Sequence, residues 1–210
     1  MLQFLHALNC VPGMHYKILA KLWEKFEDWR YVWEAASPEA LFAAGLNSEI
    51  VYKIFQARKE FDADAAMTHL WENDVIILNK ETSEYPELLK QVPDAPFILY
   101  RKGAALNSSL KYIAMVGTRK PSAYGEKMTY DLASAFAARN CVIVSGLALG
   151  IDAIAHFGAV SQKKPTVAIL ASGIGEITPY CHEQFAEKIL ESGGTFLSEY
   201  PPCDPPYQGR

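Results

Sequence analysis

Three glycine-bearing segments, each placed just after a short apolar run, carry the residue types that bind anions. The first reads Val116-Gly117-Thr118-Arg119-Lys120-Pro121-Ser122-Ala123-Tyr124-Gly125. Gly117 lets the backbone turn sharply and approach a ligand closely. Arg119 offers a planar fork of donors suited to bidentate phosphate contacts, and Lys120 adds a second charge. Ser122 is placed to cap the following helix, whose first N–H groups attract negative charge. The second segment is Ser145-Gly146-Leu147-Ala148-Leu149-Gly150-Ile151-Asp152, where Ser145, Gly146 and Gly150 leave backbone donors open at the mouth of the next helix. Asp152 either caps that helix, pairs internally or meets a ligand. The third, Ala171-Ser172-Gly173-Ile174-Gly175, repeats the chemistry. Neither the dinucleotide fingerprint G-x-G-x-x-G nor a Walker A loop is present, because the glycine spacing and the Lys-Ser/Thr ending are missing. An anion-binding rim over three strand ends is the expectation.

Covalent or metal chemistry has less to stand on. His156 follows Asp152 by four residues on one helical face, which permits an acid–base pair but equally a packed histidine. Cys181-His182 lacks a second ligand pair for zinc. No G-x-S-x-G elbow occurs, and Ser145 has no evident base. No catalytic residue, no metal ligand and no cofactor is assigned. Lys163-Lys164 either extends the basic rim or ends a helix favourably; Lys127 is a further charge-based candidate. Tyr124 stands either as a stacking ring or as packing.

The elements that must hold these residues change character along the chain. Phe4, Leu5, Leu8, Ile18, Leu19, Leu22, Trp23 and Phe26 recur at spacings of three and four, the mark of helical faces. Pro12-Gly13 separates the first two helices, and Ser37-Pro38 opens another with a cap and a proline at its first position. From Asp74 the pattern shortens: Val75-Ile76-Ile77-Leu78 reads as a strand, Tyr85-Pro86-Glu87-Leu88-Leu89 as a helical turn, and Phe97-Ile98-Leu99-Tyr100 as a strand. Strands at 111–116, 141–145, 166–170 and 194–197 then alternate with helices near 123–139, 151–162 and 181–192. This predicts an α/β fold with a parallel, Rossmann-like sheet covered on both faces, in a domain spanning 74–210, preceded by an all-helical domain spanning 1–73.

Composition excludes several classes. Half of the 210 residues are hydrophobic and 21% are charged, so the chain is neither disordered nor fibrous. No apolar run approaches the ~20 residues of a membrane helix, and the N-terminus has no secretory signature. Four scattered cysteines fit a reduced, cytoplasmic protein. The net charge of −4 conceals one basic stretch: residues 101–127 hold Arg101, Lys102, Lys111, Arg119, Lys120 and Lys127 against Glu126 alone. Such a patch draws a polyanion locally, or is simply a solvated basic face.

Four blocks together resemble the bacterial DNA-processing protein A family, also called DprA or Smf. They are Gly117 to Gly125, Ser145 to Asp152, Ala155-His156-Phe157-Gly158-Ala159, and Leu197-Ser198-Glu199-Tyr200-Pro201-Pro202, in the family's order over roughly residues 75–206. The resemblance implies an extended Rossmann domain of the SMF/DprA–LOG type behind a SAM-like, helix-hairpin-helix-like module. It also implies a non-enzymatic role: binding and protecting single-stranded DNA during natural transformation, loading the recombinase RecA, and homodimer formation in the full-length form, with no membrane partner. Carried over to this chain, Arg119 would be the principal phosphate contact, while Ser145, Gly146 and Gly150 would shape the adjoining pocket. A LOG-like nucleotide phosphoribohydrolase and a small-nucleotide sensor are the alternatives on this fold; Ala171 to Glu176 lacks the Pro-Gly-Gly-x-Gly-Thr pattern of the former. Two departures stand out. His15 occupies the place of a second glycine in Val11-Pro12-Gly13-Met14-His15, which weakens a phosphate contact there. The chain also stops at Gln208-Gly209-Arg210, where the family continues with a basic segment, so a fragment with part of the DNA site and of the association region missing is expected.

Overall fold

A computed structural model describes residues 1–202. Cys203, Pro205-Pro206 of the proline-rich tail and the Gln208-Gly209-Arg210 end lie outside the described residues. The chain divides into two compact units, Met1–Leu99 and one that begins at Tyr100.

The first unit is built from short helices: α1 (Leu2–Asn9), α2 (Tyr16–Phe26), α3 (Trp29–Glu34), α4 (Pro38–Ala43), α5 (Ser48–Glu60) and α6 (Ala63–Glu72). Local side chains start four of them. Asp28 accepts from Arg30 N and Tyr31 N, Ser37 from Ala40 N, Asn47 from Ile50 N, and Asp62 from Asp64 N and Ala65 N. Each such cap contributes about 1 kcal/mol. Gly13, at φ +90°, turns the chain between α1 and α2 as the Pro12-Gly13 break predicts. The buried face gathers Leu5, Leu8, Leu19, Leu22, Leu41, Ile54 and Leu70. Strand β1 (Val75–Leu78) and the short helix α7 (Glu87–Lys90) also belong to this unit. Phe97 stacks on Tyr16 at 5.5 Å and meets Trp29 edge-on at 5.5 Å, and Tyr85 donates to Pro96 O. Phe97 is therefore an anchor in the helical unit, and the strand expected to begin there begins two residues later.

That strand, β2 (Leu99–Gly103), leads into the second unit: β3 (Lys111–Ala114), α8 (Ala123–Ala138), β4 (Cys141–Ser145), α9 (Ile151–Ser161), β5 (Thr166–Leu170), a 3-10 turn at Tyr180–His182, α10 (Glu183–Glu191) and β6 (Thr195–Ser198). The strands lie in the order β2-β6-β5-β4-β3. β3, β4, β5 and β6 run parallel, in registers that pair Ile113 with Ile143, Val144 with Val167, and Ile169 with Leu197. β2 alone is antiparallel, pairing Arg101 with Leu197, an exception to the wholly parallel sheet expected from the alternation.

The expectation of helices on both faces is also corrected. Each crossover steps one strand in the same direction, and right-handed crossovers of that kind put α8, α9 and α10 on one face. Accordingly α8 and α9 adjoin β4, and α10 adjoins α9. Ala133, Ala137, Ile143, Ala155 and Ala159 form the dry seam, with Ile113 and Met115 against it. Tyr112 and Ile169 point the other way by strand alternation and stay exposed. Small residues let the two helices approach closely: a Cβ on Gly158 would meet Ala133 Cβ at 2.7 Å and Tyr130 O at 3.1 Å. Gly158→Val is expected to cost about 1–3 kcal/mol by overpacking and to lower the thermal midpoint by several degrees. An unchanged midpoint would show that the seam tolerates the added bulk.

Candidate functional site

The turns after β3 and β4 meet at the carboxyl edge of the sheet, where ligands settle in folds of this kind. Their junction is a backbone-to-backbone contact. Gly150 adopts φ +80°, and a Cβ there would run into Thr118 O and stand 2.8 Å from Arg119 Cα. Ile151 N donates to Thr118 O at 3.2 Å, fastening the start of α9 to the turn that carries Arg119. Gly117 is needed for the same closeness, since a Cβ on it would strike the Ile151 side chain at 2.7 Å.

Local sequence shapes each side of this junction. Ser122 Oγ accepts from Gly125 N at 3.2 Å, so it caps α8 as expected. Thr118 Oγ1 accepts from Lys120 N at 3.1 Å and holds the intervening turn. Gly117, Thr118, Arg119 and Lys120 are all exposed, and neither cationic side chain has an ion pair among the described residues. Tyr124, in the first turn of α8, is 74% exposed, so its ring faces solvent and the packing alternative falls away.

Inside the second turn the polar groups are already engaged. Ser145 is buried and donates to Met115 O at 2.6 Å. Gly146 N donates to Asp152 Oδ2 at 3.2 Å, which settles Asp152 as an internal brace and not a cap. Leu147 takes the left-handed region at φ +56°, turning its side chain into the core and its carbonyl toward His182, whose Nδ1 lies 2.9 Å away. Cys181 is exposed beside that histidine. Among the described residues no three His, Cys, Asp or Glu side chains gather as metal ligands would. No helix among them is long and apolar enough to cross a membrane.

His156 is fully buried, with Nδ1 2.8 Å from Thr166 Oγ1. Thr166 donates its one proton to Ile143 O at 2.7 Å, so the histidine supplies the hydrogen between them. The packed-histidine alternative holds, and Asp152 is turned to Gly146 instead. Burial, reinforced by the charge of His182, pushes the His156 imidazole down to about 4, against a smaller opposing pull from the Ser145 backbone.

The structure brings together Gly117, Arg119, Lys120, Ser122, Ser145, Gly146 and Gly150. It does not bring the remaining lysines to that edge unengaged. Lys127 is paired with Asp131 at 2.5 Å. Lys163 and Lys164 follow α9 and precede β5, so they stand at the amino edge of the sheet, a strand length away; Lys164 donates to Asn140 Oδ1 at 2.8 Å. The third glycine turn is corrected as well. A Cβ on Gly173 would collide with the carbonyls of Pro201 and Pro202, Gly175 N donates to Pro202 O, and Ser172 donates to Glu176 O. Its glycines serve close packing under the two prolines, and the open rim has two turns, not three. Sequence reading missed the clasp of His182 on Leu147, for which no local signal exists.

Gly150→Ala is expected to be strained at its positive φ by about 1–3 kcal/mol, to collide with the Thr118 and Arg119 backbone besides, and to unseat the Arg119 turn. Tryptic cleavage after Arg119 should accelerate while the thermal midpoint falls; unchanged values for both would show the contact is not needed. A second expectation concerns pH. Burial also lowers His6, in the first unit, to about 4. Both rings bind protons more readily in the unfolded chain, so their contribution is complete above about pH 6.5 and is lost as pH falls toward 4, by up to about 3 kcal/mol each. Urea midpoints should drop across that window, and the His156 ring resonances should stay those of a neutral imidazole at pH 5.5. Titration of His156 near 6.5 would contradict its enclosure.

A family model described as DNA recombination-mediator protein A matches residues 76–210. Protein Smf of Synechocystis sp. is 29% identical over 208 residues, 97% of this chain and 52% of that protein. The chain spans about half the length, or less, of the curated relatives it matches. The X-ray structure of DNA processing protein A from Streptococcus pneumoniae superposes with a TM-score of 0.77 at 24% identity, over 99% of this chain and 71% of that one, a likeness of fold. DNA processing protein A from Helicobacter pylori, whose structure was described for its single-stranded DNA binding mode, gives a TM-score of 0.54 at 29% identity, over 64% of this chain and 60% of that one.

Proposed function

Because the chain belongs to the DNA recombination-mediator protein A family, we propose that its two-turn rim grips the sugar-phosphate backbone of single-stranded DNA. The observation that carries this reading is Arg119: exposed, without an ion pair among the described residues, and seated on a turn locked by backbone contact to Gly150. Its guanidinium has no protein partner to give up and binds a phosphate with release of the strand's counterions, which makes binding steeply salt-dependent and indifferent to sequence. Lys120 adds charge beside it, Gly117 and Gly150 keep the backbone low enough for a close approach, and the exposed ring of Tyr124 is placed to stack on a base. Ser145, bonded to Met115 O, and Gly146, bonded to Asp152, shape the floor without touching the strand.

On this reading the role is non-catalytic. In its support, Ser145 spends its proton on Met115 O, Asp152 is bonded to Gly146 and His156 is enclosed, so that among the described residues the rim offers cations and backbone donors and none of these three groups as a free nucleophile or base. On this reading the captured strand is protected and handed to the recombinase RecA, with homodimer formation; the family's description as a recombination mediator supports the hand-over.

Fluorescence anisotropy with labelled oligo-dT at two salt concentrations tests the reading. Arg119→Ala should weaken binding roughly tenfold or more and flatten the salt slope by about 0.7. Lys163→Ala and Lys164→Ala, at the far edge, should change little. Salt-insensitive binding, or an Arg119→Ala protein that binds like the parent, would defeat it.

A further inference from the structure

On the helical layer of the second unit, away from the rim cations, four rings stand in a row. Tyr130 of α8 lies 6.0 Å from Phe157 of α9, Phe157 lies 6.1 Å from Phe185 of α10, and Phe185 lies 6.4 Å from His182. Phe157 is the open member, 55% exposed, although its neighbours Ala155, His156, Gly158 and Ala159 on α9 are buried. The rings beside it are held. Tyr130 donates through its hydroxyl to Ser161 Oγ at 3.2 Å, and His182 is fixed to Leu147 O at 2.9 Å. A lone exposed aromatic needs no explanation, but one framed by two half-buried rings, Tyr130 held by its own hydrogen bond and Phe185 set edge-on against the anchored His182, is a preorganised apolar surface.

The spacing decides how a planar ligand would sit. A ring sandwiched between two others needs about 7 Å, twice the optimal carbon–carbon separation of about 3.5 Å. Centroids 6.0–6.1 Å apart leave no such slot. A ligand ring must instead lie across the outer face of Phe157, with Tyr130 and Phe185 as shoulders. The row is continuous with the rim, because His182 holds Leu147, which belongs to the rim's second turn. Phe157 is six residues beyond the start of α9, about 9 Å along the helix axis, within reach of nucleotides neighbouring one held at Arg119. Helical spacing sets both Glu126 and Lys127 beside Tyr130 and Lys188 beside Phe185, and Asp131 is bonded to Lys127, so one carboxylate, Glu126, flanks the Tyr130 end of the row.

We propose that Phe157 is a base-stacking platform for single-stranded DNA gripped at the rim, with Tyr130 and Phe185 as its positioning residues. The inference rests on the proposed function, and deepens it by assigning where the bases go. Stacking of this kind tolerates any base, since every base presents a π-face.

The test uses the 210-residue chain with labelled oligo-dT and with an abasic oligodeoxynucleotide of equal length. The parent should bind oligo-dT more tightly than the abasic strand. Phe157→Ala should weaken oligo-dT roughly tenfold and leave abasic binding unchanged. Phe157→Leu, which keeps apolar volume without a π-face, should behave likewise, and Phe157→Trp should restore affinity with an emission that oligo-dT quenches and the abasic strand does not. Equal binding of oligo-dT by parent and Phe157→Leu overturns the platform, as does an equal loss on both polymers. Salt-dependent abasic binding that survives in every variant leaves the rim standing. Loss of all binding by the parent removes both readings together.

Discussion

The second unit turns on a contact between two pieces of backbone. Gly150, with no Cβ and a positive φ, lets the turn after β4 press against Thr118 and Arg119 of the turn after β3, and Ile151 N closes the junction on Thr118 O. A side chain at Gly150 would separate the two turns, and Arg119 would then sit on a loose loop. Order at this point is what turns an exposed arginine from a solvated charge into a directed one, since a preorganised donor loses less freedom on binding. The charge itself is ordinary; its fixed mounting is not.

Around that contact the remaining polar groups divide into those that build and those that face outward. Ser145 ties β4 to Met115, Asp152 ties the second turn to itself, and His182 clasps Leu147 from the chain leading into α10. Each satisfies a group that would otherwise be left without a partner near the core, where an unmet donor or acceptor costs about 1–3 kcal/mol. Arg119, Lys120 and Tyr124 are what remains for solvent or a ligand. The same division explains the third glycine turn, which has similar composition yet is spent on packing beneath Pro201 and Pro202.

Family membership and the physical reading meet at the same residues but reach different depths. The matched segment begins at residue 76 and takes in the sheet and its turns. The likeness in fold extends over 99% of the chain, the helical unit included. Neither speaks to individual contacts with a strand, and the chain spans about half, or less, of its curated relatives. Arg119 as a phosphate contact and Phe157 as a base platform therefore stand on geometry: one on exposure and mounting, the other on ring spacing and continuity with the rim.

Much of the architecture was legible in the residues because it is set locally. Apolar spacing of three and four, the caps at Ser37 and Ser122, the Pro12-Gly13 break and the short apolar strands each act within a few positions, and apart from β2, which ends three residues later than expected, the strands and long helices of the second unit lie within a residue or two of where they were expected. Family motifs likewise single out Gly117, Arg119 and Gly150 as candidates, and the structure sets the three beside one another. What the sequence alone left open depends on groups far apart in the chain. Phe97 looked like a strand residue until its partners Tyr16 and Trp29 placed it in the helical unit. Three glycine turns looked alike until Pro201 and Pro202 closed one of them. Lys163 and Lys164 could equally have extended the rim or ended a helix until the parallel strands put them, after α9 and before β5, at the other end of the sheet. Composition and periodicity report what a segment prefers by itself; which edge it reaches, and what covers it there, is decided only when distant segments compete for the same surface.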